Sequence, residues 1–109
     1  MRFKGFKTGS RVWGVASIHS DYDICVKQDE ADRLKSCHPY NHDSGYENQT
    51  FYIGEGNKEF NIIILNDDEF DAWKYATERM FAIPRQEIQL KANRISLFEK
   101  YVKEYMNEN

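Results

Sequence analysis

The first third of the chain alternates apolar and polar residues with the period of two that short β-strands require. Residues 3–7 follow this pattern and end at Gly9 and Ser10. Residues 21–27, DYDICVK, enter an apolar stretch through two aspartates and predict a second strand that runs inward. Residues 11–16, which lie between the two strands, are enough for one or two helical turns. The pattern therefore predicts a strand, a short helix and a second strand.

The middle of the chain predicts a surface helix, a long loop and a hairpin. Residues 29–36 are charged and favour a helix, whereas residues 37–48 are rich in Pro, Gly, Asn and His and predict a loop. Residues 50–53 and 60–65 are strand-like, and Gly-Glu-Gly-Asn at 54–57 predicts the turn between them. The second of these strands is almost entirely apolar, which predicts a central position with both faces covered.

Two amphipathic helices follow the hairpin. Asn66 can cap the first, with Glu69 at the position of a capping box, and Pro84 closes it. The apolar stripe of this helix consists of Phe70, Trp73, Thr77 and Met80. A last helix is predicted over residues 86–106, with a stripe of Ile88, Ala92, Ile95, Phe98, Val102 and Tyr105. Both stripes predict core contacts, so the whole pattern indicates an α+β or α/β domain with a small mixed sheet and helices packed on it.

Composition narrows the class of protein. The 109 residues suit one domain spanning residues 1–109. The formal net charge of −3 argues against a broad electrostatic grip on nucleic acid, although it leaves room for a local basic patch. Without an apolar run long enough for a membrane span or a signal peptide, a cytoplasmic protein with no membrane partner is expected. Cys25 and Cys37 are expected to be free thiols in that reducing compartment.

Candidate chemistry begins at Asp21 and Asp23. Side chains two apart in a strand point to the same face, so these carboxylates are predicted to lie side by side. Two such charges repel each other, and a divalent cation is the usual compensation. Mg²⁺, or Mn²⁺ in its place, suits one or two carboxylates completed by substrate phosphates. On its own, a pair of surface aspartates in a solvated turn is the commoner explanation of an Asp-x-Asp.

The preceding Gly9-Ser10-Arg11 changes that balance. A glycine between a strand and a helix lets backbone N–H groups approach a phosphate without an intervening Cβ, and Ser10 adds a hydroxyl donor. Arg11 can add a positive charge. A phosphate cradle and a metal pair joined by one short helix would form a functional unit.

The stretch GSRVWGVASIHSDYDICV, residues 9–26, resembles the signature of the DNA polymerase β-like nucleotidyltransferase superfamily. In that family Gly-Ser starts a short helix and Asp-x-Asp follows on the next strand. The Gly-Ser-Arg, the second glycine and the Ser-Asp-x-Asp are similar to those of its small stand-alone members. The order of elements through Phe81 also fits the nucleotidyltransferase fold.

The resemblance implies a Mg²⁺-dependent enzyme that transfers a nucleoside monophosphate from a nucleoside triphosphate to an acceptor hydroxyl. Gly9 and Ser10 would bind the phosphates, while Asp21 and Asp23 would bind the metal. The acceptor would be a protein, a small molecule or a nucleic acid. The sequence does not choose among these acceptors or among the nucleotides.

The chain departs from the family at the third carboxylate, which lies on a neighbouring strand. The corresponding position here is Asn61, whose amide brings no charge and cannot take a proton from a hydroxyl. Glu59 is two residues earlier, on the same face by strand alternation, and is the candidate for a displaced third carboxylate. The alternative hypothesis is therefore a catalytically impaired member that binds nucleotide or protein. An unrelated α+β domain with a coincidental motif remains a third hypothesis.

Other polar clusters are weaker candidates. Cys37, His38, His42 and Asp43 match no closed zinc pattern, so a polar loop is expected, with the option of a lid over a nucleotide. His19 is expected in a turn, with a place near the phosphates as the alternative. Trp13 and Tyr22 are expected in the core. Two basic residues one turn apart on the last helix are expected as solvated charge, with phosphate binding as the alternative: Lys91 and Arg94.

Overall fold

The fold is a five-stranded mixed sheet with four α-helices, seen in a computed structural model that describes residues 1–42 and 49–108. The strands are β1 (Phe6–Thr8), β2 (Tyr22–Val26), β3 (Asn41–His42), β4 (Thr50–Glu55) and β5 (Lys58–Ile64). The helices are α1 (Ser10–Trp13), α2 (Gln28–Cys37), α3 (Asp67–Met80) and α4 (Lys91–Glu108), with a 3₁₀ turn at Arg85–Glu87. The predicted α+β class is confirmed. No helix within the described ranges is both long and apolar enough to cross a bilayer.

The sheet has the order β1-β2-β5-β4-β3. Strands β2 and β5 are parallel neighbours, and every other pair is antiparallel. The parallel pair places Asp23 directly beside Asn61. Strand β5 is central, as its apolar sequence predicts.

Only one face of β5 is closed by core packing, which corrects the expectation of two covered faces. Phe60 and Ile62 are buried with Phe51 of β4, against the face of the sheet that α2 covers. On the opposite face Asn61 and Ile63 are half-buried. That face of β5 opens into a cavity instead of packing under a helix.

The hairpin is tighter than predicted. Strand β4 continues into the expected turn as far as Glu55, and β5 begins at Lys58. Only Gly56 and Asn57 remain between the two strands. Gly56 has φ +62°, the left-handed conformation that a two-residue hairpin turn needs and glycine adopts without strain. The residues at 54–57 thus predict the position of the turn correctly, but the turn is shorter than predicted.

Helix α3 begins as the sequence predicts. The Asn66 side chain accepts a hydrogen bond from the Glu69 N–H at 2.8 Å, and the Glu69 carboxylate accepts one from the Asn66 N–H at 3.2 Å. The capping box is thus confirmed. The helix ends at Met80, four residues before Pro84, which instead precedes the 3₁₀ turn.

The last helix starts later than predicted. The chain forms the separate turn Arg85–Glu87, buries Ile88, and begins α4 only at Lys91. The Arg94 guanidinium donates through Nη1 to the carbonyls of Ile88 at 3.0 Å and Gln89 at 2.8 Å, which holds this bend together. Because Ile88 is anchored outside the helix, only part of the predicted stripe packs in the core: Phe98 and Val102 do, whereas Ala92 is exposed. Tyr101 is the buried residue of α4, and Ile95 is 48% exposed.

A second core joins α1, α3 and α4. Its buried residues are Trp13, Ala76, Met80, Ile88 and Tyr101. Thr77 links this core to the sheet, because its hydroxyl lies 2.7 Å from the Thr8 hydroxyl and its carbonyl accepts the Trp13 indole N–H at 3.1 Å. Trp13 is therefore in the core, as predicted, while Tyr22 is half-buried at the margin of the other core, between the sheet and α2.

The expected loop at 37–48 contains one element that the sequence did not indicate. Asn41–His42 forms β3, which pairs with β4 at the edge of the sheet. The Tyr40 ring lies 5.6 Å from that of Phe51. The rest of the predicted loop or lid, residues 43–48, lies outside the described residues.

Glu30 fastens α2 to the start of the chain. Its buried carboxylate accepts hydrogen bonds from Nε and Nη2 of Arg33, each at 2.7 Å, and from the Lys4 N–H at 2.7 Å. The hydrogen bonds from the Arg33 guanidinium have the largest effect on the pKa of Glu30, and together with the Lys4 N–H they hold it below its ordinary value of 4.5. The charged form is therefore favoured by folding.

Glu30→Gln is expected to lower the free energy of unfolding at pH 7 by about 1 kcal/mol, because the bonds to a charged acceptor weaken. A depressed folded-state pKa contributes stability above the unfolded value, which is lost as the pH falls through the folded value. The deficit of the variant should therefore shrink below about pH 4.5. Urea titrations across pH 3–7 test this, with the exposed Glu78→Gln as control. An equal deficit at every pH would contradict the assignment.

Candidate functional site

A cavity of about 640 Å³ opens on the face of the sheet that carries Asp23. Strands β1, β2, β4 and β5 form its floor, and α1, α3 and α4 supply its walls. Its polar lining residues are Thr8, Ser10, His19, Ser20, Asp21, Asp23, Asn61, Lys91, Arg94 and Glu99. Gly9 and an apolar and aromatic set complete it: Trp13, Tyr52, Ile63, Trp73, Ile95 and Phe98. The volume is within the range of small-molecule sites.

Asp21 and Asp23 lie together in this cavity, as strand alternation predicts. Asp23 is on β2, and Asp21 immediately precedes the strand. Burial raises the pKa of Asp23 above its ordinary value, and the negative charge of Asp21 raises it further. A hydrogen bond from Asn61 and the charge of Lys91 act in the opposite direction. The site therefore carries negative charge, which the hydrogen bond from Asn61 and the charge of Lys91 offset only in part.

Gly9 lies directly against Asp23. It has φ +87°, and a Cβ at this position would overlap the Oδ2 atom of Asp23. Helix α1 starts at the next residue, and its first turn is closed by the Val12 N–H donating to the Gly9 carbonyl at 3.0 Å. Only glycine combines this backbone conformation with this approach. The bend and the carboxylate pair are thus adjacent, as the motif predicts.

Arg11 points elsewhere. Its guanidinium donates to the Ser20 carbonyl through Nε at 3.2 Å and Nη2 at 2.8 Å, and lies 4.5 Å from the centre of the Tyr22 ring. Arg11 is absent from the described lining of the cavity. The structure therefore gives Arg11 the task of fixing the loop that leads into β2, and does not bring it to Gly9 and Ser10 as a phosphate ligand.

Of the two candidates for the third position, only Asn61 reaches the cavity. Its Nδ2 donates to Oδ1 of Asp23 at 3.2 Å, while its buried Oδ1 has no hydrogen-bond partner among the described residues. Glu59 is exposed, lies opposite Gly54 and does not line the cavity. Glu59 shares the strand face of Asn61, but two residues along β5 carry it beyond the cavity.

Helices α4 and α3 supply another part of the wall. Lys91 and Arg94 both line it. Lys91 is also exposed, in keeping with the expected solvated charge, and phosphate binding stays a prediction. The aromatic part consists of Trp73 and Phe98, whose rings meet edge to face at 5.0 Å, with Trp13 at 5.8 Å from Phe98. The helical spacing of Trp73 and Phe98 predicts core contacts, and nothing in that spacing indicates that they line a cavity.

The residues fit one hard divalent cation better than two. Asp21, Asp23 and the unpartnered Asn61 oxygen are oxygen donors of the kind that Mg²⁺ accepts. Within the described ranges, no three His, Cys, Asp or Glu side chains form a group that could hold a metal. Further ligands would therefore have to come from a substrate or from water.

The cysteines and the loop histidines form no described metal site. Both thiols are free, with Cys25 buried and Cys37 exposed, as expected. Burial, and next the charge of Asp23, raises the pKa of Cys25, so this thiol stays protonated. Asp43, the fourth member of the weak zinc candidate, lies outside the described residues.

No family model, curated protein or solved structure matches this chain. The features that bear on function are therefore the motif at residues 9–26 and the geometry of the cavity. The structure brings together Gly9, Ser10, Asp21, Asp23 and Asn61, and leaves Arg11 and Glu59 apart.

Asp23→Asn is expected to stabilise the protein in the presence of a chelator at pH 7, by about 1 kcal/mol, a common size for stabilising substitutions. Because folding raises the pKa of Asp23, its charged form opposes folding once the pH exceeds the ordinary value of 3.8. The gain should disappear at lower pH, where the carboxyl is neutral in both states. Thermal unfolding at several pH values measures it, with the exposed Asp71→Asn as control. A less stable Asp23→Asn protein at pH 7 would contradict this account.

Proposed function

We propose that this chain is a nucleotidyltransferase of the DNA polymerase β-like type. It would bind a nucleoside triphosphate with Mg²⁺, or Mn²⁺, in the cavity and transfer the nucleoside monophosphate to an acceptor hydroxyl. The new bond joins the hydroxyl oxygen to the α-phosphorus, the bond between the α- and β-phosphates breaks, and pyrophosphate and the hydroxyl proton are released. The acceptor is a protein, a small molecule or a nucleic acid, and the proposal leaves these classes open.

The contact between Gly9 and the carboxylate of Asp23 carries the proposal. A glycine that must stay without a Cβ, beside two carboxylates in one cavity, is the arrangement that a phosphate tail and a cation require. A chance pair of solvated aspartates gives no reason for a half-buried Asp23 with a raised pKa. The position of Asn61 beside Asp23 also matches that of the third ligand in the family pattern.

Each residue then has a limited task. Asp21 and Asp23 hold the cation, which when bound neutralises phosphate charge and polarises the bond that breaks. The bend at Gly9 and the Ser10 hydroxyl receive phosphate oxygens. Trp73 and Phe98 provide an apolar surface that excludes water and accommodates the nucleoside. Asn61 orients Asp23 through the hydrogen bond that it donates.

The Asn61 amide also favours a second candidate, a module that binds nucleotide or a protein without catalysing transfer. An amide supplies no negative charge for a second ion and cannot accept the proton of an attacking hydroxyl. In this alternative the same cavity binds Mg²⁺ and triphosphate, but the acceptor is never activated.

Calorimetric titration tests the binding step that both candidates share. Each of the four nucleoside triphosphates is titrated with Mg²⁺ into the wild type and into Asp21→Asn/Asp23→Asn. We expect at least one nucleotide to bind, and its affinity to fall at least about tenfold in the double variant, which loses two charge-assisted contacts. The matched control is Asp29→Asn/Asp32→Asn, which removes equal charge from exposed positions of α2. Absence of binding by the wild type would refute the proposal.

Label transfer separates the enzyme from the binding module. The protein is incubated with α-labelled triphosphates and cell extract, and the label is followed into proteins, small molecules and nucleic acids. Transfer that disappears in Asp23→Asn supports the enzyme. If transfer is absent from the wild type but appears in Asn61→Asp, the chain is a binding module whose third position has lost its carboxylate.

A further inference from the structure

The positive side chains in the cavity of the glycine bend come from the C-terminal part of the chain. Arg11, the cation within the motif, is occupied by the Ser20 carbonyl and the Tyr22 ring. Lys91 and Arg94, at the start of α4, line the same cavity as Gly9 and Ser10. The cationic part of the site therefore lies about eighty residues from the motif in sequence but lines the same cavity.

Lys91 lines the cavity that holds Asp21 and Asp23, but it does not neutralise them by contact. It forms no ion pair with any described residue. Its ammonium group is therefore available to an anion that enters the cavity.

Arg94 is held in place by the protein. Its Nη1 donates to two carbonyls at the bend before α4, at 3.0 Å to Ile88 and 2.8 Å to Gln89. The side chain is half-buried and also lines the cavity. A guanidinium anchored at one nitrogen loses less entropy when its other donors bind an anion.

We propose that Lys91 and Arg94 bind the outer phosphates of the nucleotide, so that the triphosphate bridges the cavity from the bend to α4. This inference rests on the proposed function and names the determinant by which the site selects triphosphate over monophosphate. A monophosphate held at the bend would lack the outer phosphates that Lys91 and Arg94 bind. Glu99 is the one other carboxylate among the described residues that line the cavity.

The test compares ligands of different phosphate length by calorimetry in Mg²⁺. The probes are a nucleoside triphosphate that the wild type binds, the matching monophosphate, and inorganic tripolyphosphate. Lys91→Gln is the main variant because Lys91 is exposed and its loss should not affect folding. Lys103→Gln, at an exposed position of α4 outside the cavity, is the matched control. Arg94→Lys retains the charge but removes the fork, and circular dichroism verifies that its helices remain.

Lys91→Gln should weaken the binding of the triphosphate and of tripolyphosphate by about tenfold each and leave monophosphate binding unchanged. The control Lys103→Gln should bind all three ligands as the wild type does. Arg94→Lys should weaken the same two ligands. Unchanged triphosphate affinity in Lys91→Gln, alongside the expected loss in Asp21→Asn/Asp23→Asn, would overturn this inference and leave the proposed function intact. An equal loss for the monophosphate would also overturn it. If the wild type binds tripolyphosphate through Lys91 but binds none of the four nucleoside triphosphates, the proposed function is refuted instead.

Discussion

Gly9→Ala is expected to lower the free energy of unfolding by about 3 kcal/mol and to abolish binding in the cavity. Two costs add: alanine must adopt φ +87°, and its Cβ must displace the Asp23 carboxylate. Backbone strain of this kind costs about 1–3 kcal/mol, and inserting a methyl group into packed structure costs a similar amount. Urea unfolding measures the first effect, and calorimetric titration with Mg²⁺ and triphosphate measures the second.

Gly56→Ala separates the two costs. Gly56 also has a positive φ, +62°, but a Cβ there meets nothing within 4 Å. This control should therefore lose only about 1 kcal/mol, from strain alone, and retain full binding. Gly54→Ala, at ordinary φ and in open space, should be nearly neutral. If Gly9→Ala and Gly56→Ala lose equal stability and both bind ligand, Gly9 does not approach Asp23 as described.

Phe51→Ala is expected to cost about 3–5 kcal/mol, the range for removal of a buried phenyl ring. Phe51 is fully buried in β4, where it packs with Ile24 and Ile62 against α2. Since small domains are stable by only about 5–15 kcal/mol, the variant should be close to unfolding at 37 °C. Urea titration monitored by circular dichroism measures the loss.

Ile18→Ala is the matched control for this cavity-forming substitution. Ile18 is 87% exposed, so its truncation should change the free energy of unfolding by no more than about 0.5 kcal/mol. A Phe51→Ala protein that loses less than about 1 kcal/mol would show that β4 does not pack on α2 in this way.

The fold was largely predictable because its signals are local. The capping box at Asn66, the glycine turn of the hairpin and the apolar run of β5 each specify structure through neighbouring residues. The strand at Asn41–His42 was not predictable, because its two residues form β structure only by pairing with β4. The delayed start of α4 was also missed, since the apolar spacing continues across a bend that Arg94 stabilises through tertiary contacts.

The candidate site was predictable only where the motif is contiguous. Gly9, Asp21 and Asp23 are positioned by one strand-helix-strand unit, so their proximity follows from sequence. Lys91, Trp73 and Phe98 reach the cavity through the packing of α3 and α4, and their periodic spacing is that of ordinary helix faces. Arg11 is the opposite case. It belongs to the motif, but its guanidinium binds the Ser20 carbonyl, and Arg11 is not among the described lining of the cavity.

Thr77 makes the glycine bend and α3 mechanically dependent on one another. One threonine contacts β1 through its hydroxyl and α1 through its carbonyl, on either side of Gly9. Any ligand that stabilises the bend should therefore also stabilise the C-terminal part of α3, although the two segments are distant in sequence. Amide hydrogens around Thr77 should then exchange more slowly with solvent deuterium when the cavity is filled, making α3 a remote reporter of occupancy.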